Sequence, residues 1–176
     1  TIVTEQWCKG WDPNEALKHT ENGLTVANND VQGVIASNDG TAGAAVEALA
    51  AQGLAGTVPI CGQDADLAAC QRIVEGTQTG TVYKPLAPLN QAACELAVAI
   101  ATGEDPKSSV DSSLGTWQTL NNNTKDVDSF TVDVEAVNKD NIYEIICVRD
   151  QFHTVEEVYA NVPKDQWPTE ADAAAE

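Results

Sequence analysis

Short apolar runs alternate with longer segments of helical period through the first half of the chain. Ile2 to Trp7 mixes β-formers with a weak alternation and predicts a strand. Asp12-Pro13 then suits a helix start, because Asp can cap and Pro tolerates the first helical position. The helix carries Ala16, Leu17, Leu24, Val26 and Ala27 and should end near Asn28 to Asp30. Val31 to Ser37 is a short apolar run, as expected of a parallel strand covered on both faces. Asn38-Asp39-Gly40 reads as a loop, Thr41 as a cap for the helix AGAAVEALAAQ, and Gly53 as its stop. Val58 to Cys61 predicts a third strand. Asp64-Ala65-Asp66 opens a helix through Ala68, Ala69, Ile73 and Val74, which Gly76 ends. Thr79 to Lys84 predicts a fourth strand, and Pro85 leaves it.

Strands alternating with helices at this spacing predict right-handed βαβ crossovers and a doubly wound parallel sheet, an α/β fold. After Pro85 the character changes. Leu89 to Ala101 is an Ala-rich helix ending at Thr102-Gly103, followed by a polar stretch over 104–130 that reads as a crossing segment or surface loop. FTVDVEAV alternates and predicts a strand, VNKDN a turn, and Ile142 to Val148 a last strand. The acidic, Ala-rich end predicts disorder over the final ten residues.

The predicted strand ends carry the candidate chemistry. In open α/β sheets, ligands bind in the crevice beyond the carboxyl ends of the strands. Trp11, Asn38, Asp64 and Lys84 each fall at such an end. An indole, an amide, a carboxylate and an ammonium together would form a small polar pocket with one flat apolar wall. Singly, Asp64 could be a helix cap, Asn38 a turn former, Lys84 a surface cation and Trp11 a core residue; their shared placement is what suggests a site.

Composition narrows the partners. The chain has 176 residues, 27 acidic against 9 basic, and a formal net charge of −18. Phosphate binding needs clustered Lys and Arg, so this balance argues against nucleic acid and against an anionic membrane surface. No run reaches the roughly 20 apolar residues of a membrane span. The first residues hold no secretory signal pattern, and a strand beginning at once suggests that residues before Thr1 were removed or lie on another chain. Cys8, Cys61, Cys70, Cys94 and Cys147 show no metal-ligand spacing, and His19 and His153 are far apart. Five is an odd number, so at least one thiol is free or pairs elsewhere. No GxSxG elbow, P-loop, GxGxxG or HExxH occurs, and neither a catalytic role nor a cofactor is expected.

The stretch VIASNDGTAGAAVEALAAQGLAGTVPICGQDADLAACQRIVEGTQTGTVYKPL resembles the periplasmic D-xylose-binding proteins, with GQDADLA and GTQTGTVYKP as its most specific parts. WCKGWDPNEALKHTENGL upstream and VNKDNIYEIICVRDQFH downstream fit the same family. These are solute-binding subunits of sugar ABC transporters, with a two-lobed type I periplasmic-binding fold. By that resemblance Trp11, Asn38, Asp64 and Lys84 match sugar-contacting positions of the C-terminal lobe. Trp11 would face the C–H side of a pyranose, Asp64 would accept two hydroxyl hydrogen bonds, Asn38 would donate and accept, and Lys84 would donate.

Family members are about twice this length, so the resemblance implies a C-terminal half. It assigns 1–85 to the C-terminal lobe, 86–116 to a crossover helix and segment of the other lobe, 117–153 to a return, and 154–176 to an acidic extension. The implied partners are D-xylose or a similar monosaccharide, the N-terminal half of the same protein and an ABC transporter permease. The implied place is the periplasm or cell exterior, with a membrane tether through the missing N-terminus as one option. Two other readings share the fold: the effector domain of a sugar-responsive transcription regulator, and a sugar-sensing partner of a membrane kinase.

Overall fold

A computed structural model of the chain describes residues 1–169. The first half builds as its punctuation demands. A 3-10 turn, Lys9–Trp11, leads into helix α1, Pro13–Val26; Asp12 caps it by accepting the Asn14 amide at 2.9 Å. Strand β1, Val34–Ile35, leads into α2, Asp39–Ala51, and β2, Ile60–Cys61, into α3, Leu67–Glu75. Gly76 ends α3 in the left-handed region at φ 87°, where a residue with a Cβ would be strained. Strand β3 is Gly80–Tyr83.

A four-stranded sheet has the order β1-β2-β3-β6, with β6 at Glu135–Asn138. The β1/β2 and β2/β3 pairs are parallel, in the register Val34 to Ile60, Ile35 to Cys61 and Cys61 to Gly80. Two apolar clusters flank it. One joins Leu24 of α1 and Ala42, Ala45, Val46 and Leu49 of α2 to Val58 and Ile60. The other joins Ile73 and Val74 of α3 to Tyr83, Val137, Ile142, Ile146 and Val158. Helices covering both faces of a mostly parallel sheet is the doubly wound α/β arrangement expected from the sequence.

The chain divides into two compact units: Thr1–Tyr83 with the described residues from Ala136 onward, and Lys84–Glu135. The second unit holds α4, Leu86–Thr102, the short α5, Pro106–Ser109, and an antiparallel hairpin of β4, Thr116–Asn121, and β5, Asp126–Thr131. The stretch over 104–130, read as a crossing segment or surface loop, thus holds α5 and most of this hairpin. Trp117 and Phe130 sit opposite each other with ring centroids 5.4 Å apart, and that cross-strand aromatic pair holds a ribbon whose remaining positions are mostly polar.

Three further expectations change. Residues 1–8 pair with no strand among the described residues; Ile2 is 76% exposed and Trp7 91% exposed, and a strand without a neighbour has nothing to receive its amides and carbonyls. Phe130–Val137 is not one strand, because β5 closes the hairpin at Thr131 while β6 joins the larger sheet beside β3. Ile142 to Val148 is not a strand: Tyr143–Arg149 is π-helical and opens with Ile145 N–H donating to the Asn141 carbonyl at 3.0 Å. Its β-branched composition suggested a strand, yet Ile142, Ile145 and Ile146 are all buried, at the i, i+3, i+4 spacing of one helical face. Residues 170–176, and with them most of the disorder expected at the end, lie outside the described residues. Trp167 within that stretch is placed, its indole N–H donating to the Val162 carbonyl at 2.8 Å.

Candidate functional site

Asn38 and Asp64 lie in adjoining loops at the carboxyl ends of β1 and β2. The Asp39 amide donates to the Gln63 carbonyl at 2.8 Å and ties the two loops together. Asn38 is half-buried and caps α2: its Oδ1 accepts the Thr41 amide at 2.9 Å and the Thr41 hydroxyl at 2.6 Å. Asn38, read from the sequence as a turn former, is thus the cap in place of Thr41, and Asp39 and Gly40, expected in a loop, are the first residues of the helix. Capping occupies the acceptor end of the Asn38 amide and leaves the Nδ2 donors as what Asn38 can offer a ligand.

Asp64 does not cap α3, since that position belongs to Asp66. It is half-buried and held at φ 108°, followed by Ala65 at φ 56°. Two consecutive non-glycine residues at positive φ are costly, and such conformations persist only where neighbours over-determine them; they concentrate at ligand sites. The neighbours here are explicit. The Asp64 amide donates to the Val82 carbonyl at 2.9 Å, the Ala65 amide to the Thr81 hydroxyl at 3.2 Å, and the Asp66 amide to Asp39 Oδ2 at 3.0 Å. The Ala65 carbonyl lies 2.9 Å from His153 Nε2. The turn that carries Asp64 is thus fixed from β3, from α2 and from the C-terminal segment.

Trp11 does not follow a strand. It ends the 3-10 turn before α1, at φ 61° and 58% exposed, so its ring is not core. Lys84 directly follows Tyr83 at the end of β3, is half-buried, and is the first residue of the second unit. The first unit thus brings Asn38 and Asp64 together, with Trp11 at the head of α1.

A buried polar group behind these loops escaped sequence reading. Asp39 is 1% exposed; Oδ2 accepts the Thr81 hydroxyl at 2.8 Å and Oδ1 accepts Gln78 Nε2 at 3.0 Å. Burial pushes its carboxyl above the ordinary carboxylate value, and the hydrogen bonds from Thr81, Gln78 and the Asp66 amide only partly oppose that. Arg72 donates from Nε to Gln78 Oε1 at 2.9 Å and from Nη2 to the Asp39 carbonyl at 3.0 Å. The only local trace was two polar residues, Gln78 just before a short strand and Thr81 within it, and both are buried in the structure. All five cysteines are free thiols. Burial raises Cys70 to about 12 and Cys147 to about 11, far from thiolate chemistry. No group of three potential metal ligands exists among the described residues.

With this geometry in hand, the chain can be placed among known proteins. Residues 1–105 match the periplasmic binding protein domain, and the chain belongs to that family. It is 48% identical over 157 residues to the D-xylose-binding periplasmic protein of Escherichia coli (strain K12), covering 89% of this chain and 45% of that protein. The D-xylose-binding periplasmic protein of Haemophilus influenzae is 46% identical over 158 residues, again covering 45% of the relative. The chain spans under half the length of these relatives. Among solved structures, a carbohydrate transporter solute-binding protein from Chloroflexus aurantiacus in complex with D-glucose aligns with a TM-score of 0.70 and 31% identity, over 85% of this chain and 42% of the other. A solute-binding protein from Actinobacillus succinogenes with bound D-allose aligns at 0.53 and 28% identity, over 73% of this chain and 38% of the other.

Proposed function

We propose that this chain is one wall of a monosaccharide-binding protein, with D-xylose as its ligand, that works in the periplasm and hands the sugar to an ABC transporter permease. The observation that carries the reading is the anchored turn at Asp64, held at positive φ beside Asn38 at the carboxyl edge of a parallel sheet. A carboxylate fixed by backbone geometry is pre-organised to accept sugar hydroxyls, and such charge-assisted hydrogen bonds are stronger than neutral ones. Asn38 donates from Nδ2, Trp11 offers its ring to the C–H face, and Lys84 donates an ammonium hydrogen. The xylose-binding relatives and the sugar-bound structural neighbours support this class of ligand. The upstream half of the protein supplies the facing wall, and closure of the two excludes water so that each polar pair counts for more. None of these roles is catalytic.

Tryptophan emission tests the reading in the full-length polypeptide. Adding D-xylose is expected to change the fluorescence, and Trp11→Phe to shrink that change while retaining part of the binding. An undiminished change in Trp11→Phe would take the indole out of the site.

A further inference from the structure

Asn38 and Asp64 are short side chains, and their aim is set by what stands behind them. Asp39 is the first residue of α2, one position beyond Asn38, and its carboxylate is buried among donors. Its contacts join the loop after β2, strand β3 and the turn before that strand. Oδ2 accepts from the Asp66 amide in the loop after β2 and from the Thr81 hydroxyl in β3; Oδ1 accepts from Gln78 in the turn before β3. The Thr81 hydroxyl in turn accepts the amide of Ala65, the residue beside Asp64. Gly62 packs so closely on Asp39 Oδ1 that no side chain fits there. Arg72 bonds the Asp39 carbonyl and orients the Gln78 amide, so the donors around the carboxylate are themselves held.

We propose that Asp39 is the positioning residue of the sugar wall: its buried carboxylate clamps the loops after β1 and β2 onto β3, so that Asn38 and Asp64 address the same ligand. The proposal rests on the sugar-binding reading of those loops. Asp39 touches no sugar in it. The site demands a carboxylate because all three partners donate, and a carboxylate only accepts. The amide of an Asn would set its NH2 group against a donor whichever way it turned, although its shape is nearly the same. That conflict would loosen the turn holding Asp64 at φ 108°, a conformation that survives only while its neighbours impose it.

The test is a set of variants of the full-length polypeptide, titrated with D-xylose calorimetrically well below their melting temperatures. Asp39→Asn is expected to weaken affinity by about tenfold or more, the scale of losing one charged hydrogen bond. Thr81→Val, which removes one donor to Asp39 and the acceptor for Ala65, is expected to lose about fivefold, while Thr81→Ser keeps the hydroxyl and stays within about twofold. Leu24→Ala, in the last turn of α1 and in the apolar cluster that includes neither Ala65 nor Thr81, lowers the melting temperature without changing affinity, which separates aim from general stability. If Asp39→Asn does not fold, the two Thr81 variants decide: loss in Val with retention in Ser supports the clamp, and equal affinity in both overturns it. A parent protein that binds xylose alongside Asp39→Asn and Thr81→Val variants of equal affinity overturns this proposal alone. A parent that binds no monosaccharide overturns the sugar-binding reading and this proposal with it.

Discussion

Asp64→Ala in the full-length polypeptide is expected to weaken D-xylose binding by at least about 100-fold. The carboxylate accepts two sugar hydroxyls in the proposed complex. Hydrogen bonds to charged groups contribute about 1.5–3 kcal/mol each, and every 1.4 kcal/mol is a factor of about ten in affinity. The fold should survive, because the amides of Asp64, Ala65 and Asp66 anchor the turn to Val82, Thr81 and Asp39 and remain in the variant. Asp64→Gly is the natural companion, since Gly adopts φ 108° without a Cβ conflict and deletes the same carboxylate. Both variants should melt as cooperatively as the parent. Asn38→Ala should cost less affinity, its sugar bonds being neutral, but it also removes the α2 cap at a cost of about 1 kcal/mol in stability. Calorimetric titration reads all three, and a loss under about fivefold for Asp64→Ala would end its assignment to the site.

Residues 1–176 expressed alone are expected to bind no measurable xylose and to self-associate. The chain spans 45% of its xylose-binding relatives, and one wall cannot enclose a sugar. Its surface agrees. Ile35 in β1 is exposed, as are Ile2, Val3 and Trp7 ahead of α1. On α4, Ala92 and Ala99 are buried, while Leu86, Leu89, Val98 and Ile100 are exposed. Apolar residues of this size standing in solvent mark surfaces that associate, and a strand edge left open invites pairing. Co-expression with the upstream half should restore a single species and sugar affinity. Gel filtration, thermal unfolding and xylose titration of the isolated chain provide the check. A monodisperse monomer that melts cooperatively and binds xylose at micromolar concentration would contradict the half-protein reading.

The parts of this fold that depend on neighbours in sequence were legible. Asp12-Pro13 starts α1, Gly76 at φ 87° ends α3, and Gly103 at φ 77° ends α4, each a local backbone requirement that only a few residue types meet. The run from Val31 to Ser37 contains β1, and its pairing with β2 is parallel as the βαβ spacing implied, but Ile35 is 93% exposed, so the strand is not covered on both faces as expected. What misled was composition without context. The β-branched residues of Ile142 to Val148 suit a strand in isolation, but three isoleucines at helical spacing found a buried face against α3 and β3. Ile2 to Trp7 has strand chemistry and no partner among the described residues. Asn38 and Asp64 could be chosen from their strand-end positions, whereas Asp39 could not. Its partners Asp66, Gln78 and Thr81 stand 27, 39 and 42 residues away, and nothing local marks a carboxylate as the hub of such a group.

The proposed site fixes where the sugar lies. Crystals of the full-length polypeptide grown with D-xylose should show the pyranose beyond the carboxyl ends of β1 and β2. Two of its hydroxyls should lie at hydrogen-bond distance, about 2.7 Å, from the Asp64 carboxylate. The Asn38 amide and Lys84 ammonium should also reach the sugar, with the Trp11 ring against its C–H face. A sugar bound elsewhere, with Asp64 out of contact, would contradict it.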